Sequence, residues 1–117
     1  MRGKAREILK AFLISLSSGR YADAERAFNS LVKRLEKKGE WGQGYLQALK
    51  GMLDARRTGD KYAFFLTLEE EAGELRRLRK EFREHTRARG HTDYDKGFFS
   101  AWKDVVSIAL ELRRQAT

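Results

Sequence analysis

Gly19-Arg20-Tyr21, Gly39-Glu40-Trp41 and Gly59-Asp60-Lys61-Tyr62 recur at twenty-residue intervals, and Gly90-His91-Thr92-Asp93-Tyr94 repeats the pattern after a longer spacer. Glycine tolerates the positive-φ backbone that closes a helix, and an aromatic at the start of the next helix can pin the turn. This punctuation divides the chain into five helices. They are predicted over about Gly3–Ser17, Tyr21–Lys38, Trp41–Arg57, Asp60–Arg89 and Asp93–Gln115, with ends good to a residue or two.

Apolar spacing supports each of them. In the first helix Ile8, Phe12, Ser15 and Leu16 share a face, with Ala5, Leu9 and Leu13 beside it. Tyr21, Ala24, Phe28, Leu31, Val32 and Leu35 form a stripe at helical spacing in the second. Trp41, Tyr45, Ala48, Leu49, Met52 and Leu53 do so in the third, and Tyr62, Phe65, Leu68, Ala72, Leu75, Leu78 and Phe82 in the fourth. The fifth opens with Thr92 as N-cap and Asp95 three residues on. Its apolar arc is wide: Tyr94, Phe98, Ala101, Trp102, Val105, Ile108, Ala109 and Leu112, broadened by Phe99 and Val106. A helix apolar over so wide an arc is central in a bundle or shared with a second subunit. No segment alternates as a strand would. The fold class is therefore all-α. The expected architecture is five antiparallel helices, the first four as two stacked hairpins and the fifth as a C-terminal cap, in one domain spanning residues 1–117.

The stretch Gly19-Arg20-Tyr21-Ala22-Asp23-Ala24-Glu25-Arg26-Ala27-Phe28 resembles the turn and second helix of a tetratricopeptide repeat, with Gly19, Tyr21, Ala24 and Phe28 on that family's preferred places. A second hairpin, Trp41 to about Leu68, is a weaker echo. The period is near 40 residues where the family has 34, and the family's closing proline and early Trp-Leu-Gly signature are missing. The resemblance implies a hairpin-stacked scaffold that binds partners.

Composition narrows the chemistry. The 117 residues are 41% apolar and 36% charged, enough for one modest core with an unusually charged surface. There is no cysteine, which excludes disulfides and thiolate metal sites. No apolar run approaches the roughly 18 residues that span a bilayer. The basic start, Met1 to Arg6, reads as a helix start and not a signal peptide, so a cytoplasmic location is expected. Proline is absent, Asn29 is the only asparagine, and Lys, Arg and Glu abound, a balance expected of a thermophile.

The formal charge is +8, and it is segregated. Residues 75–91 carry seven Lys and Arg against two Glu, just after the acidic run Glu69, Glu70, Glu71 and Glu74. Arg76, Lys80, Arg83 and Arg87 recur at helical spacing and line one edge, flanked by Arg77 and Arg79 and ended by Arg89. Arginine suits bidentate phosphate contacts. Arg26, Lys33 and Lys37 give the second helix a basic outer face, with Arg34 and Lys38 beside them. The competing account is a solvated face laced by ion pairs, with Glu81 and Glu84 placed to meet Arg77 and Lys80.

The expected function is non-enzymatic binding of an RNA or DNA backbone by Arg76, Arg79, Lys80, Arg83 and Arg87, helped by Arg26, Lys33 and Lys37. A protein–protein adaptor is the alternative, and an acidic protein surface the alternative partner. No cofactor, metal or membrane partner is expected. His91, Asp93 and Asp95 crowd one turn, where capping and helix-dipole charge account for both aspartates. Small residues Gly44, Ala48, Gly51 and Ala55 line the third helix and invite close approach of another helix. That contact is internal or across a homodimer, for which the fifth helix is the other candidate face. Finally, Arg79 and His85 are separated by five residues, which resembles the Arg-and-His motif of HEPN-class ribonucleases. That resemblance implies phosphate stabilisation by Arg79 and activation of the ribose hydroxyl by His85. The polar residue usual after that Arg is Lys80 here.

Overall fold

The computed structural model describes residues 3–59 and 71–116. They form α1 (Gly3–Ser17), α2 (Tyr21–Leu35), a single 3₁₀ turn (Glu36–Lys38), α3 (Gly39–Arg57), α4 (Ala72–Arg87) and α5 (Asp93–Ala116). The all-α class holds: among the described residues there is no strand.

The glycine punctuation is realised. Gly19, Gly39, Gly59 and Gly90 all have positive φ, between 61° and 90°. At the end of α1 the amide of Gly19 donates to the carbonyl of Leu16 (3.2 Å) and that of Arg20 to Ser15 (2.9 Å). This pair of bonds satisfies the last carbonyls of the helix and needs a residue free to adopt positive φ at position 19.

Three boundaries differ from expectation. The second helix stops at Leu35 and tightens into the 3₁₀ turn before Gly39, where α3 begins. The predicted fourth helix is not continuous through Glu71, whose backbone is extended (φ −60°, ψ 153°). Glu71 instead starts α4, its carbonyl accepting from the Leu75 amide (3.0 Å). Carboxylates at Glu71 and Glu74 suit a helix N-terminus, whereas Gly73 is a poor interior residue. Tyr62, Phe65 and Leu68, assigned to that helix, lie outside the described residues, as do Glu69 and Glu70.

Among the described residues four helices share one core and α4 docks on its outside, so the expected capping role of the fifth helix is corrected; residues 60–70, the return arm of the expected second hairpin, lie outside the described residues. One cluster joins α1 (Leu9, Phe12, Leu13, Leu16), α2 (Ala24, Leu31, Leu35), α3 (Tyr45, Ala48, Leu49, Met52, Leu53) and α5 (Ala101, Val105, Ile108, Ala109). A smaller cluster seats Leu75 of α4 on Val106 and Leu110 of α5. The first hairpin, α1 with α2, is present, but α4 pairs with α5 and not with α3. The wide apolar arc of α5 is the reason. One side of it faces α3 and α1 and the other faces α4, so α5 is central and not a cap.

Glycines set the α3–α5 distance. A Cβ on Gly44 would lie 1.9 Å from the Tyr94 carbonyl oxygen, and one on Gly97 would lie 1.9 Å from that of Trp41. The small-residue face of α3 therefore divides. Gly44 is buried in the internal contact with α5, so it is not a dimer face, while Gly51 is exposed with nothing within 4 Å of a built Cβ. Tyr94, expected in the apolar arc, is exposed, and its backbone rather than its ring meets α3. Across the helices, the Tyr45 hydroxyl donates to Asp104 Oδ2 (2.7 Å), Arg6 pairs with Glu111 (2.7 Å), and Arg56 Nε donates to the Leu16 carbonyl (3.3 Å).

Candidate nucleic-acid interface

The inner stripe of α4 is Ala72, Leu75, Leu78 and Phe82, with Phe82 stacked on Phe99 (6.3 Å between centroids) and tilted on Trp102 (5.9 Å). This fixes the helix about its own axis and so decides where its charges point. Taking Leu75 as zero, 100° per residue puts Arg83, Arg76, Arg87 and Lys80 at roughly 80°, 100°, 120° and 140°. All four are exposed and share one flank. Arg76 and Arg87 lie about 16 Å apart along the axis, at 1.5 Å per residue.

The opposite flank is neutralised. Arg77 Nη2 meets Glu74 (2.5 Å) and Arg77 Nη1 meets Glu81 (2.7 Å). The hydrogen bond and charge of Glu74, then the charge of Glu81, hold the Arg77 guanidinium above its ordinary range. Glu84 was expected to pair with Lys80, yet no ion pair joins them. Nor does a described carboxylate pair with Arg76, Arg79, Arg83 or Arg87. The ion-pair account thus holds for Arg77 and fails for the neighbouring flank.

Arg79 sits differently from the rest. Half-buried at roughly 40°, it lines a cleft of about 290 Å³ between α4 and α5 with Arg76, Arg113 and Arg114. The approach of Arg113 and Arg114 was not legible in the sequence, because they are more than thirty residues from Arg79 and reach it only through the antiparallel α4–α5 hairpin.

The basic residues of α2 do not join this flank. Arg26 is hydrogen-bonded to Asp23 one turn away. Lys33 and Lys37 are exposed and have no ion-pair partner among the described residues, Lys37 lying in the 3₁₀ turn rather than on α2. In the packing order α3 and α5 stand between α2 and α4. The eight expected contact residues therefore fall into two separate groups.

Arg79 and His85 are not brought together either. Arg79 lies near Leu110, whereas the His85 ring stacks on Phe99 (4.3 Å, 16°). Those α5 positions are eleven residues, or about 16 Å, apart. His85 instead meets His91, which no periodicity argument joins to it.

Comparison with known proteins finds no matching family model, no matching curated protein and no matching solved structure. The tetratricopeptide resemblance therefore rests on the sequence, chiefly the Gly19–Phe28 stretch, and residues 60–68 of its weaker echo lie outside the described residues. Among the described residues, no helix is long and apolar enough to cross a membrane.

Proposed function

We propose that this chain is a cytoplasmic binding protein that follows the phosphate backbone of RNA or DNA with the flank of α4 formed by Arg76, Lys80, Arg83 and Arg87. The observation that carries this reading is the division of α4 by charge. Two of its three carboxylates, Glu74 and Glu81, turn to Arg77, and Arg76, Lys80, Arg83 and Arg87 have no acidic partner among the described residues. Four unneutralised cations in one narrow sector repel one another, and a polyanion relieves that repulsion. An exposed line of cations on one helix flank suits backbone phosphates, so affinity with little sequence preference is expected.

The test is fluorescence anisotropy of a labelled single-stranded RNA against salt. Four phosphate contacts give a log–log slope of about −2.8, so affinity falls about 50-fold between 50 and 200 mM salt. Arg76→Glu with Arg83→Glu should flatten the slope by at least about 1.4 and abolish measurable binding at 100 mM. Arg77→Glu, on the paired flank, should change binding far less. No anisotropy change at 25 mM salt, or equal effects on both flanks, rejects the reading and leaves the adaptor alternative.

A further inference from the structure

The end of α4 and the start of α5 bring His85, His91 and Asp95 together around one aromatic ring. His85 Nδ1 and His91 Nε2 are 3.1 Å apart. The two imidazoles lie 4.3 Å and 5.6 Å from the Phe99 centroid. The other nitrogen of His91, Nδ1, faces Asp95 Oδ2 at 3.8 Å. On an unbroken helix, residues six apart point roughly 120° away from each other. The extended backbone at Ala88 (φ −70°, ψ 136°) and the positive φ of Gly90 turn the chain back and produce the convergence.

Three features of this cluster fit a metal site. First, imidazole nitrogens bind Zn²⁺ at about 2.05 Å, and two such bonds ending 3.1 Å apart subtend about 98°, between octahedral and tetrahedral angles. Second, Phe99 holds the His85 ring at 16° to its own plane, which limits the rotamers that binding would have to freeze. Third, the carboxylate lies on the side of His91 away from His85, where a metal-binding histidine is ordinarily oriented by an acidic partner. Asp95 is itself placed, its amide donating to the N-cap hydroxyl of Thr92 (3.1 Å). Among the described residues no third histidine, aspartate or glutamate completes a ligand cluster.

We propose that His85 Nδ1 and His91 Nε2 hold one divalent late transition metal ion, of the class Zn²⁺, Ni²⁺ or Cu²⁺, with Asp95 as a positioning residue for His91. Water fills the remaining coordination positions. Two imidazoles without a carboxylate ligand select these ions over Mg²⁺ and Ca²⁺, which require oxygen donors. Capping still accounts for the placement of Asp95, and the same geometry leaves its carboxylate beside His91. The inference does not depend on nucleic-acid binding.

The experiment is calorimetric titration of the full, untagged chain with NiCl₂ and ZnCl₂ at pH 7.5, with MgCl₂ as control. One ion per chain is expected, with no heat from Mg²⁺. His85→Ala and His91→Ala should each weaken binding at least about tenfold, and Asp95→Asn about tenfold. Far-UV circular dichroism checks each variant, and His85→Gln replaces His85→Ala if that variant loses helix. Absence of Ni²⁺ and Zn²⁺ binding at millimolar concentration overturns the site. So does binding that survives both histidine variants unchanged, which would place the ion elsewhere. Equal binding of Mg²⁺ also overturns it. Full retention of affinity by Asp95→Asn removes the positioning role.

Discussion

Gly44→Ala and Gly51→Ala make the same chemical change on the same helix, two turns apart, and are predicted to move stability in opposite directions. At Gly51 a methyl group meets nothing within 4 Å, and the residue is exposed. The only change is the better helix propensity of alanine, worth about 0.8–1 kcal/mol of added stability. At Gly44 the same gain is offset by a collision. The new Cβ would stand 1.9 Å from the Tyr94 carbonyl oxygen, 2.8 Å from its carbon and 3.1 Å from the Phe98 nitrogen. These are backbone atoms of a helix packed on its other side by α4, so no side-chain rotation relieves the overlap. Restoring ordinary contact requires α3 and α5 to part by about 1.5 Å. That movement would loosen Tyr45, Ala48, Leu49 and Met52 against Ala101, Val105 and Ile108. Overpacking of a well-packed core typically costs about 1–3 kcal/mol, and a clash between two backbones belongs at or above the top of that range. Net of the propensity gain, Gly44→Ala should lose about 2 kcal/mol or more, and the two variants should differ by about 3 kcal/mol. For a chain of this length that is roughly 10 °C or more in Tm. Urea and thermal unfolding followed by circular dichroism measure it. If Gly44→Ala proves as stable as Gly51→Ala, the close α3–α5 approach is wrong, and with it the placement of α4.

Tyr45→Phe removes the bond to Asp104 and should cost about 1.5–3 kcal/mol, as for a hydrogen bond to a charged group. Burial first, then the charge and hydrogen bond of Asp104, raise the Tyr45 phenol well above its ordinary value. A raised folded value means the contribution is complete below the unfolded pKa, about 10, and is lost as pH rises through the folded value. Tyr45→Phe should therefore unfold less steeply at alkaline pH, read by pH-dependent urea midpoints. Glu111 is shifted the other way: the hydrogen bond from Arg6, and the charges of Arg6 and Lys10, lower its carboxyl. The stability this group contributes is present above the ordinary carboxylate range and is lost as pH falls through the lowered value. Glu111→Gln should lower stability at pH 7 and reduce the difference between pH 7 and pH 3. An unchanged acid limb in that variant would show that the α1–α5 ion pair contributes nothing.

The helix punctuation was legible because a positive-φ turn is a local demand met by a local residue. Gly19, Gly39, Gly59 and Gly90 could be read without knowing what packs on what. The charge edge of α4 was legible for the same reason, since helical spacing alone puts Arg76, Lys80, Arg83 and Arg87 on one side. Which of its arginines would be neutralised was not. Glu81 was rightly assigned to Arg77, but Glu84 stays off Lys80, because side chains on a solvated face choose among several partners of similar energy. The partner of α4 was misread for a related reason. Short loops make neighbours in sequence natural partners, yet α5 offers two apolar faces, and burying both places it between α3 and α4.

By itself, then, the amino-acid sequence determined the helical class, the turn positions, the buried stripes and the presence of a basic edge. All of these follow from interactions within a few residues. Only the tertiary structure decided that α5 is central, that Gly44 is committed to an internal contact, and that the basic residues of α2 and α4 stay apart. It alone brought Arg113 to Arg76 and His85 to His91. Those outcomes depend on burying apolar surface shared among distant segments, and that free energy belongs to the assembled core and not to any one stretch of the chain.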